Sequence, residues 1–255
     1  MKRPGRVAAV LLSGSLLMAG CATVPRDPAA RAAFEANHDP IEPLNRRIFT
    51  FNLFVDRILI KPLAKGYRRD LPEPGRDAIR HFLDNLNEPV VFANTLLQGR
   101  FKAAGATGCR FLINSTAGLA GLRDVASRQK FPKQIGDFGQ TLWTWGLPEG
   151  PYLMLPLVGP SSPRDGIGRG VDIYIDPFRY IPRGHHFATD VSVGRAIVDA
   201  IDQRARNLDS LDEMQREAID FYASFRSLYR QHRAAELGGG APAGPPPDFY
   251  QDPGR

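Results

Sequence analysis

The hydroxyls and imidazoles come first, because they are where hydrolytic chemistry would start. Ser115 and Ser161 are available nucleophiles, and His38, His81, His185, His186 and His232 are available bases. A hydrolase serine sits in a Gly-x-Ser-x-Gly elbow that lifts its hydroxyl out of the fold, and a catalytic zinc is held by His-Glu-x-x-His. The chain contains neither pattern. His185 and His186 are neighbours, and adjacent side chains diverge on a helix or a strand, so they do not make a joint metal site. No catalytic residue, no metal and no dissociable cofactor are expected.

The thiols give a different answer. Lys2, Arg3 and Arg6 precede an apolar run from 7 to 19, a positive n-region followed by a short h-region. Crossing a bilayer takes ~20 apolar residues, more than this run has. Residues 1–20 therefore read as a signal peptide. It ends in Leu17-Met18-Ala19-Gly20-Cys21, which resembles the bacterial lipobox, with Met18 where Leu is more usual. In that motif the small residues enter a peptidase cleft, and the thiol takes a diacylglycerol before the new amino terminus is acylated with a fatty acid such as palmitate. Each buried methylene contributes ~0.8 kcal/mol, so two or three chains anchor firmly where one binds marginally. Ala22 is not the Asp that usually retains such a lipoprotein in the inner membrane, so Cys21 points to the outer membrane of a Gram-negative envelope. Residues 21–38 are small, polar and Pro-containing, a lipidated tether. Cys109 is the other cysteine, and in Gly108-Cys109-Arg110 it reads as a small buried residue.

The elements that position these residues are helical. The formal charge is +6, half of it from Lys2, Arg3 and Arg6, and the other Lys and Arg are interleaved with acids, so nucleic acid is not an expected partner. Asp39-Pro40 reads as an N-cap and first helical position, and Leu44, Ile48, Phe51, Val55, Ile58 and Leu59 form one apolar face, with Pro62 as its end. Phe49, Leu53, Phe54 and Ile60 leave only a polar strip of Asn45, Arg46, Asn52, Asp56 and Arg57. A helix apolar over most of its girth is buried deeply or bathed in lipid. A second helix is predicted over 74–87, restarting at Pro89 as 90–97, and a third, rich in Ala and Gly, over 101–122. In the third, Ala104-x-x-x-Gly108 suits close helix approach, in lipid or in a soluble core. The last helices are placed over 188–205 and 211–237, the latter started by the capping box Ser210-Leu211-Asp212-Glu213 and finished by Arg230, His232 and Arg233. The Pro/Gly-rich stretch 238–255 reads as a disordered tail.

Between 137 and 176 the helical period gives way to glycine, proline and large apolar residues. Trp143, Trp145, Leu147, Tyr152, Leu153 and Met154 crowd a loop-rich stretch that must be packed or immersed in lipid. This stretch, with Gly139-Gln140-Thr141-Leu142, Arg164-Asp165-Gly166 and Gly168, resembles the MlaA (VacJ) family of outer-membrane lipoproteins. Asp39-Pro40-Ile41-Glu42-Pro43-Leu44-Asn45-Arg46, Phe51-Asn52, Phe82-Leu83-Asp84-Asn85-Leu86-Asn87-Glu88-Pro89 and Arg110-Phe111-Leu112-Ile113-Asn114 carry the resemblance over residues 39–229. Trp143 stands where the family often has Gly, and the tail is not a family feature.

The resemblance implies an all-α fold: a ring-like helical body over 39–237 with a Gly/Pro-rich central loop segment, lying in the inner leaflet of the outer membrane. It implies an amphipathic channel, docking against trimeric porins, and hand-over of stray outer-leaflet phospholipid to a soluble periplasmic carrier, MlaC. Read beside it, the residues suggest roles. Asn45 and Asn52 are candidates for a polar headgroup lane or a solvated helix face, and Gly146, Gly150, Pro151 and Tyr152 for a mobile lip or a static packed loop. A phospholipase and a porin-bracing structural lipoprotein are the rival readings.

Overall fold

The computed structural model describes residues 39–180 and 185–238, the side chains of 185–192 excepted. The expected signal peptide, Cys21, the tether to His38, the side chains of His185 and His186, and the tail after 238 lie outside the described residues. The chain is mostly helical, as expected. α1 (Glu42–Val55) runs through a π-helical turn (Asp56–Ile60) into α2 (Lys61–Asp70). α3 (Glu73–Leu97) and α4 (Phe101–Thr116) follow, then the short α5 (Val125–Arg128) and α6 (Phe138–Thr144). A hairpin of β1 (Leu153–Leu155) and β2 (Gly159–Ser161) leads into α7 (Pro163–Ile175) and a 3-10 turn (Pro177–Tyr180). α8 (His185–Arg206), α9 (Leu208–Glu217) and α10 (Phe221–Leu237) complete it.

Several boundaries differ from the periodicity reading, each for a physical reason. Glu42, after Ile41, is the first residue of α1, and Pro43 rather than Pro40 stands in its first turn. Pro62 does not end the helix. The π turn bonds Lys61 N–H to the Asp56 carbonyl, and Pro62 then falls in the first turn of α2, where its missing N–H is tolerated. Pro89 does not restart a helix: it lies inside α3, whose buried Asn85, Glu88, Val90 and Val91 hold the chain helical on both sides of it. α4 stops at Thr116, because Leu119 and Ala120 take φ of 56° and 59° and Gly121 takes 94°, a left-handed reversal. Ala104 and Gly108 serve a crossing inside the protein: Ala104 is buried, and a Cβ at Gly108 would lie 3.5 Å from the Phe92 ring of α3. Ser210 lies within α9, and the predicted last helix is two, with Asp220 capping α10 through the Ala223 N–H. Cys109 is exposed, not buried.

The packing runs in a closed circuit, as a ring-like body requires. Phe49 of α1 meets Tyr222 of α10 at 5.4 Å between ring centroids. Arg233 of α10 binds Asp165 of α7, and Asp172 of α7 binds Asn94 of α3. Arg195 of α8 reaches Asn87 of α3, and Asp202 of α8 accepts from Tyr67 of α2, which continues α1.

The distribution of polarity is inverted. Among the described residues, 12 hydrophobic residues are buried beside 18 polar or charged ones, while 27 large hydrophobic side chains are exposed. The apolar core is two small clusters, Phe49, Tyr152, Met154 and Tyr222 in one and Ala64, Ala205 and Leu208 in the other. Charge and amide networks therefore carry much of the internal packing.

Candidate functional site

Paired side-chain-to-backbone hydrogen bonds fix the hairpin to α1. Asn45 and Asn52 are two turns apart and share a face of α1. Asn45 Nδ2 donates to the Tyr152 carbonyl at 3.0 Å, and its Oδ1 accepts from the Met154 N–H at 2.9 Å. Asn52 repeats the pattern one step on, Nδ2 to the Leu155 carbonyl at 2.9 Å and Oδ1 from the Leu157 N–H at 2.8 Å. Each amide thus stands in for a neighbouring strand. Neither reading from sequence, a headgroup lane or a solvated helix face, includes these partners: the hairpin backbone takes both amides, and Asn45 is only 1% exposed.

Glycines shape the approach to the hairpin. Gly146 and Gly150 take φ of 89° and 80°, and a Cβ at Gly150 would lie 3.1 Å from the Pro163 ring, so both positions require glycine. Pro151 lies between Gly150 and a buried Tyr152, whose ring meets those of Tyr222 and Tyr229 at 6.2 and 6.0 Å. Tyr152 is the hairpin's anchor. Burial raises its phenol pKa, so it stays neutral, and its hydroxyl has no hydrogen-bond partner among the described residues. The exposed part is the tip, where Leu157 and Val158 project from the β-turn.

Two charged clamps tie α10 to this region. Asp39, read from sequence as a helix cap, accepts from Asn45 at 2.7 Å, from Arg226 at 3.0 Å and from the Tyr222 hydroxyl. Its carboxylate thereby fixes the start of α1 to α10 and to the hairpin latch at once. At the other clamp, Arg233 donates to Asp165 at 2.8 Å and to Asp137 at 2.7 Å. Asp165 also accepts from Tyr229 at 3.0 Å and from the buried Arg164 at 3.1 Å. Small residues make room for this: a Cβ at Gly139 would lie 2.6 Å from Asp165 Oδ1, and one at Gly168 would lie 2.4 Å from the Gly139 nitrogen.

A third network joins α3, α6 and α7. Asp172 accepts from Asn94 at 2.7 Å and from the Phe138 N–H at 3.0 Å, and Asn94 in turn accepts from Thr141 at 2.9 Å. Burial pushes the Asp172 carboxyl up from 3.8 to about 6, with the neighbouring Asp137 adding to it and the two donors and Arg233 opposing it. A raised carboxyl pKa means that folding favours the protonated form. Relative to Asp172→Asn, the wild-type chain should therefore lose stability as pH rises from about 4 through about 6 and level off above. The whole swing is at most about 3 kcal/mol before solvent screening. Chemical denaturation of both proteins at a series of pH values measures this, and a difference independent of pH would refute it.

The remaining sequence-selected positions are dispersed. Phe51 and Pro40 are exposed, and Asn85 donates to the Ser115 hydroxyl at 2.9 Å beneath Gly121. Ser161 is fully buried and bonds to the Ser162 carbonyl. Neither serine is hydrogen-bonded to a histidine among the described residues, and no group of His, Cys, Asp or Glu there could hold a metal. Sequence reasoning missed Tyr222, Arg226, Asp172 and the buried Arg110–Glu88 pair at 2.9 Å. The spacing of Tyr222, Arg226, Tyr229 and Arg233 on α10 was the one available signal, since it places four hydrogen-bonding side chains along one helical face.

Fold and site together define a mostly helical protein with a β-hairpin, braced by internal ion pairs, with many large apolar side chains turned outward and no helix, among the described residues, long and apolar enough to cross a membrane. The model of the MlaA lipoprotein family matches residues 37–236, and the chain belongs to that family. It is 34% identical over 226 residues to the intermembrane phospholipid transport system lipoprotein MlaA of Haemophilus influenzae, covering 87% of this chain and 86% of that one. It is 32% identical over 239 residues to the protein of the same name from Escherichia coli K12, covering 92% and 90%. A solved structure described as "Structural basis for maintenance of bacterial outer membrane lipid asymmetry" superposes with a TM-score of 0.67 at 32% identity, covering 78% of this chain and 98% of the other.

Proposed function

We propose that this protein is an intermembrane phospholipid transport lipoprotein that maintains outer-membrane lipid asymmetry. In this reading Cys21, acylated, holds it to the inner leaflet of the outer membrane. Stray outer-leaflet phospholipid enters an amphipathic channel and passes to the periplasmic carrier MlaC, with trimeric porins as the docking partner. The inverted polarity is the observation that carries it: exposed Phe51, Phe54, Ile58, Leu59 and Leu63, along α1, the π-helical turn and α2, find an apolar solvent in lipid, each worth ~1.5–3 kcal/mol when fully buried. The names of the relatives agree with it. Within it the hairpin is the gate, hinged near Gly146, Gly150 and Pro151, with Asn45 and Asn52 as its latch and the apolar tip at Leu157 and Val158 as the part that meets lipid.

Chemistry on the lipid is not part of the proposal. The test is a complementation assay of outer-leaflet phospholipid in a deletion strain. The wild-type chain, Ser115→Ala and Ser161→Ala should each restore asymmetry, and Cys21→Ser should not. No rise in outer-leaflet phospholipid on deletion would favour a bracing role beside porins, and loss of function in a folded serine variant would reopen the enzyme reading.

A further inference from the structure

Residues 98–136 contain seven Lys and Arg and one carboxylate, Asp124. That carboxylate is already committed, since it accepts from Arg110 at 3.1 Å and from the Ser127 hydroxyl at 2.5 Å. The segment is one unit, because the chain after α4 turns back along it. Asn114 binds the Ala126 N–H, Arg110 binds the Phe131 carbonyl and Arg100 binds the Ile135 carbonyl. The return segment therefore runs beside a helix of 16 residues, ~24 Å long at 1.5 Å per residue.

Lys102, Arg123, Arg128 and Lys130 are exposed on this unit, and none has a carboxylate partner among the described residues. Large apolar side chains stand between them, Phe101 at 72% and Leu119 at 60% exposure, with Leu112 and Leu122 also exposed. Near the start of α4 the exposed Trp145 joins them, its indole N–H donating to the Leu97 carbonyl at 3.2 Å. Two of the four cations are Lys, which the core of a protein interface sheds, and the apolar side chains stand singly between the charges, whereas such a core gathers its apolar groups and excludes charge. Cations, an indole and aliphatic side chains together match the boundary between lipid headgroups and acyl chains.

We propose that α4 and its return segment form a binding face for anionic phospholipid headgroups, the four unpaired cations meeting phosphodiester charge while Phe101, Leu112, Leu119 and Leu122 enter the acyl boundary. This rests on the membrane reading above and adds a headgroup charge preference to it. Each Lys or Arg close to an anionic surface is worth roughly a fivefold factor in partitioning, and the effect fades with salt.

The test uses the full mature chain carrying Cys21→Ser, so that no acyl anchor masks the contact. Flotation with phosphatidylcholine vesicles is compared with flotation when phosphatidylglycerol is included. Anionic vesicles should be preferred, and the chain further carrying Lys102→Gln, Arg123→Gln, Arg128→Gln and Lys130→Gln should lose several hundredfold in that preference at low salt with its helical spectrum unchanged. An environment-sensitive label on the exposed Cys109 of α4 should shift on anionic vesicles only. Equal binding to both vesicles overturns the headgroup inference and leaves the membrane reading standing, whereas binding to neither overturns the membrane reading. If the four substitutions leave the vesicle preference intact but impair lipid transfer to the carrier, the face docks protein and the inference fails.

Discussion

Asn45→Ala should free the hairpin from α1. The substitution leaves the Tyr152 carbonyl and the Met154 N–H without partners and takes a donor from Asp39. Asn45 is 1% exposed, so water cannot replace the lost bonds unless the hairpin moves away. A buried group left unsatisfied costs ~1–3 kcal/mol, and the loss here is expected to total roughly 2–4 kcal/mol, concentrated on the hairpin. Amide hydrogen exchange at Met154 should accelerate by about two orders of magnitude, while exchange in the middle of α3 stays near its wild-type rate. Asn52→Ala should have a smaller effect, because Leu157 at its end of the latch is exposed and water can take the asparagine's place. Equal exchange at Met154 in wild type and Asn45→Ala would refute the latch.

How far the sequence could be read depends on how far apart the partners are. The helical pattern of α1, the Gly/Pro-rich stretch that holds the hairpin and the polar strip carrying Asn45 and Asn52 are local features, and all three are legible. The partners are not. Asn45 meets Met154 across 109 residues, and Arg233 meets Asp137 across 96, and nothing in a periodicity links such positions. Arg233 therefore reads as an ordinary cation at a helix C-terminus, and Asp39 as an N-cap, although each closes a long-range clamp. Pro62 and Pro89 mislead in the opposite direction. A proline costs a helix ~3 kcal/mol locally, and only the π turn in one case and packing along α3 in the other explain why the helix continues. Cys109 reads as buried because free cysteines usually are, whereas the crossing at Ala104 and Gly108 turns their side of α4 inward and leaves Cys109 exposed.

Arg233→Met should be among the most destabilising single substitutions, and its dependence on pH should identify the reason. The guanidinium binds three carboxylates, Asp165 on α7, Asp137 capping α6 and Glu236 one turn along α10, while itself being 8% exposed. Breaking a buried pair from one side typically costs ~3–5 kcal/mol, since the other charge stays behind. Burial alone would raise the Asp165 carboxyl. Hydrogen bonds and charge from Arg233, with Arg164 and Tyr229, outweigh it and hold the carboxyl below the usual range. In the wild type that contribution is present above the ordinary carboxylate pKa and is lost only as pH falls through the lowered folded value. In Arg233→Met the main opposition to burial is gone while Arg164 and Tyr229 remain, so the Asp165 pKa is expected to rise, and the part of the deficit owed to that carboxylate shrinks as acid protonates it. The deficit should accordingly be largest at neutral pH and shrink towards pH about 4. Adding Asp165→Asn to Arg233→Met should not restore the neutral-pH loss, because the buried Arg164 then loses the carboxylate it donates to, but it should remove the share of the pH dependence that Asp165 carries. Denaturation of the detergent-solubilised proteins at neutral and acid pH measures all of this. A deficit below about 1 kcal/mol, or one that does not change with pH, would mean that α10 is held by its aromatic contacts with Phe49 and Tyr152 and that the clamp contributes little.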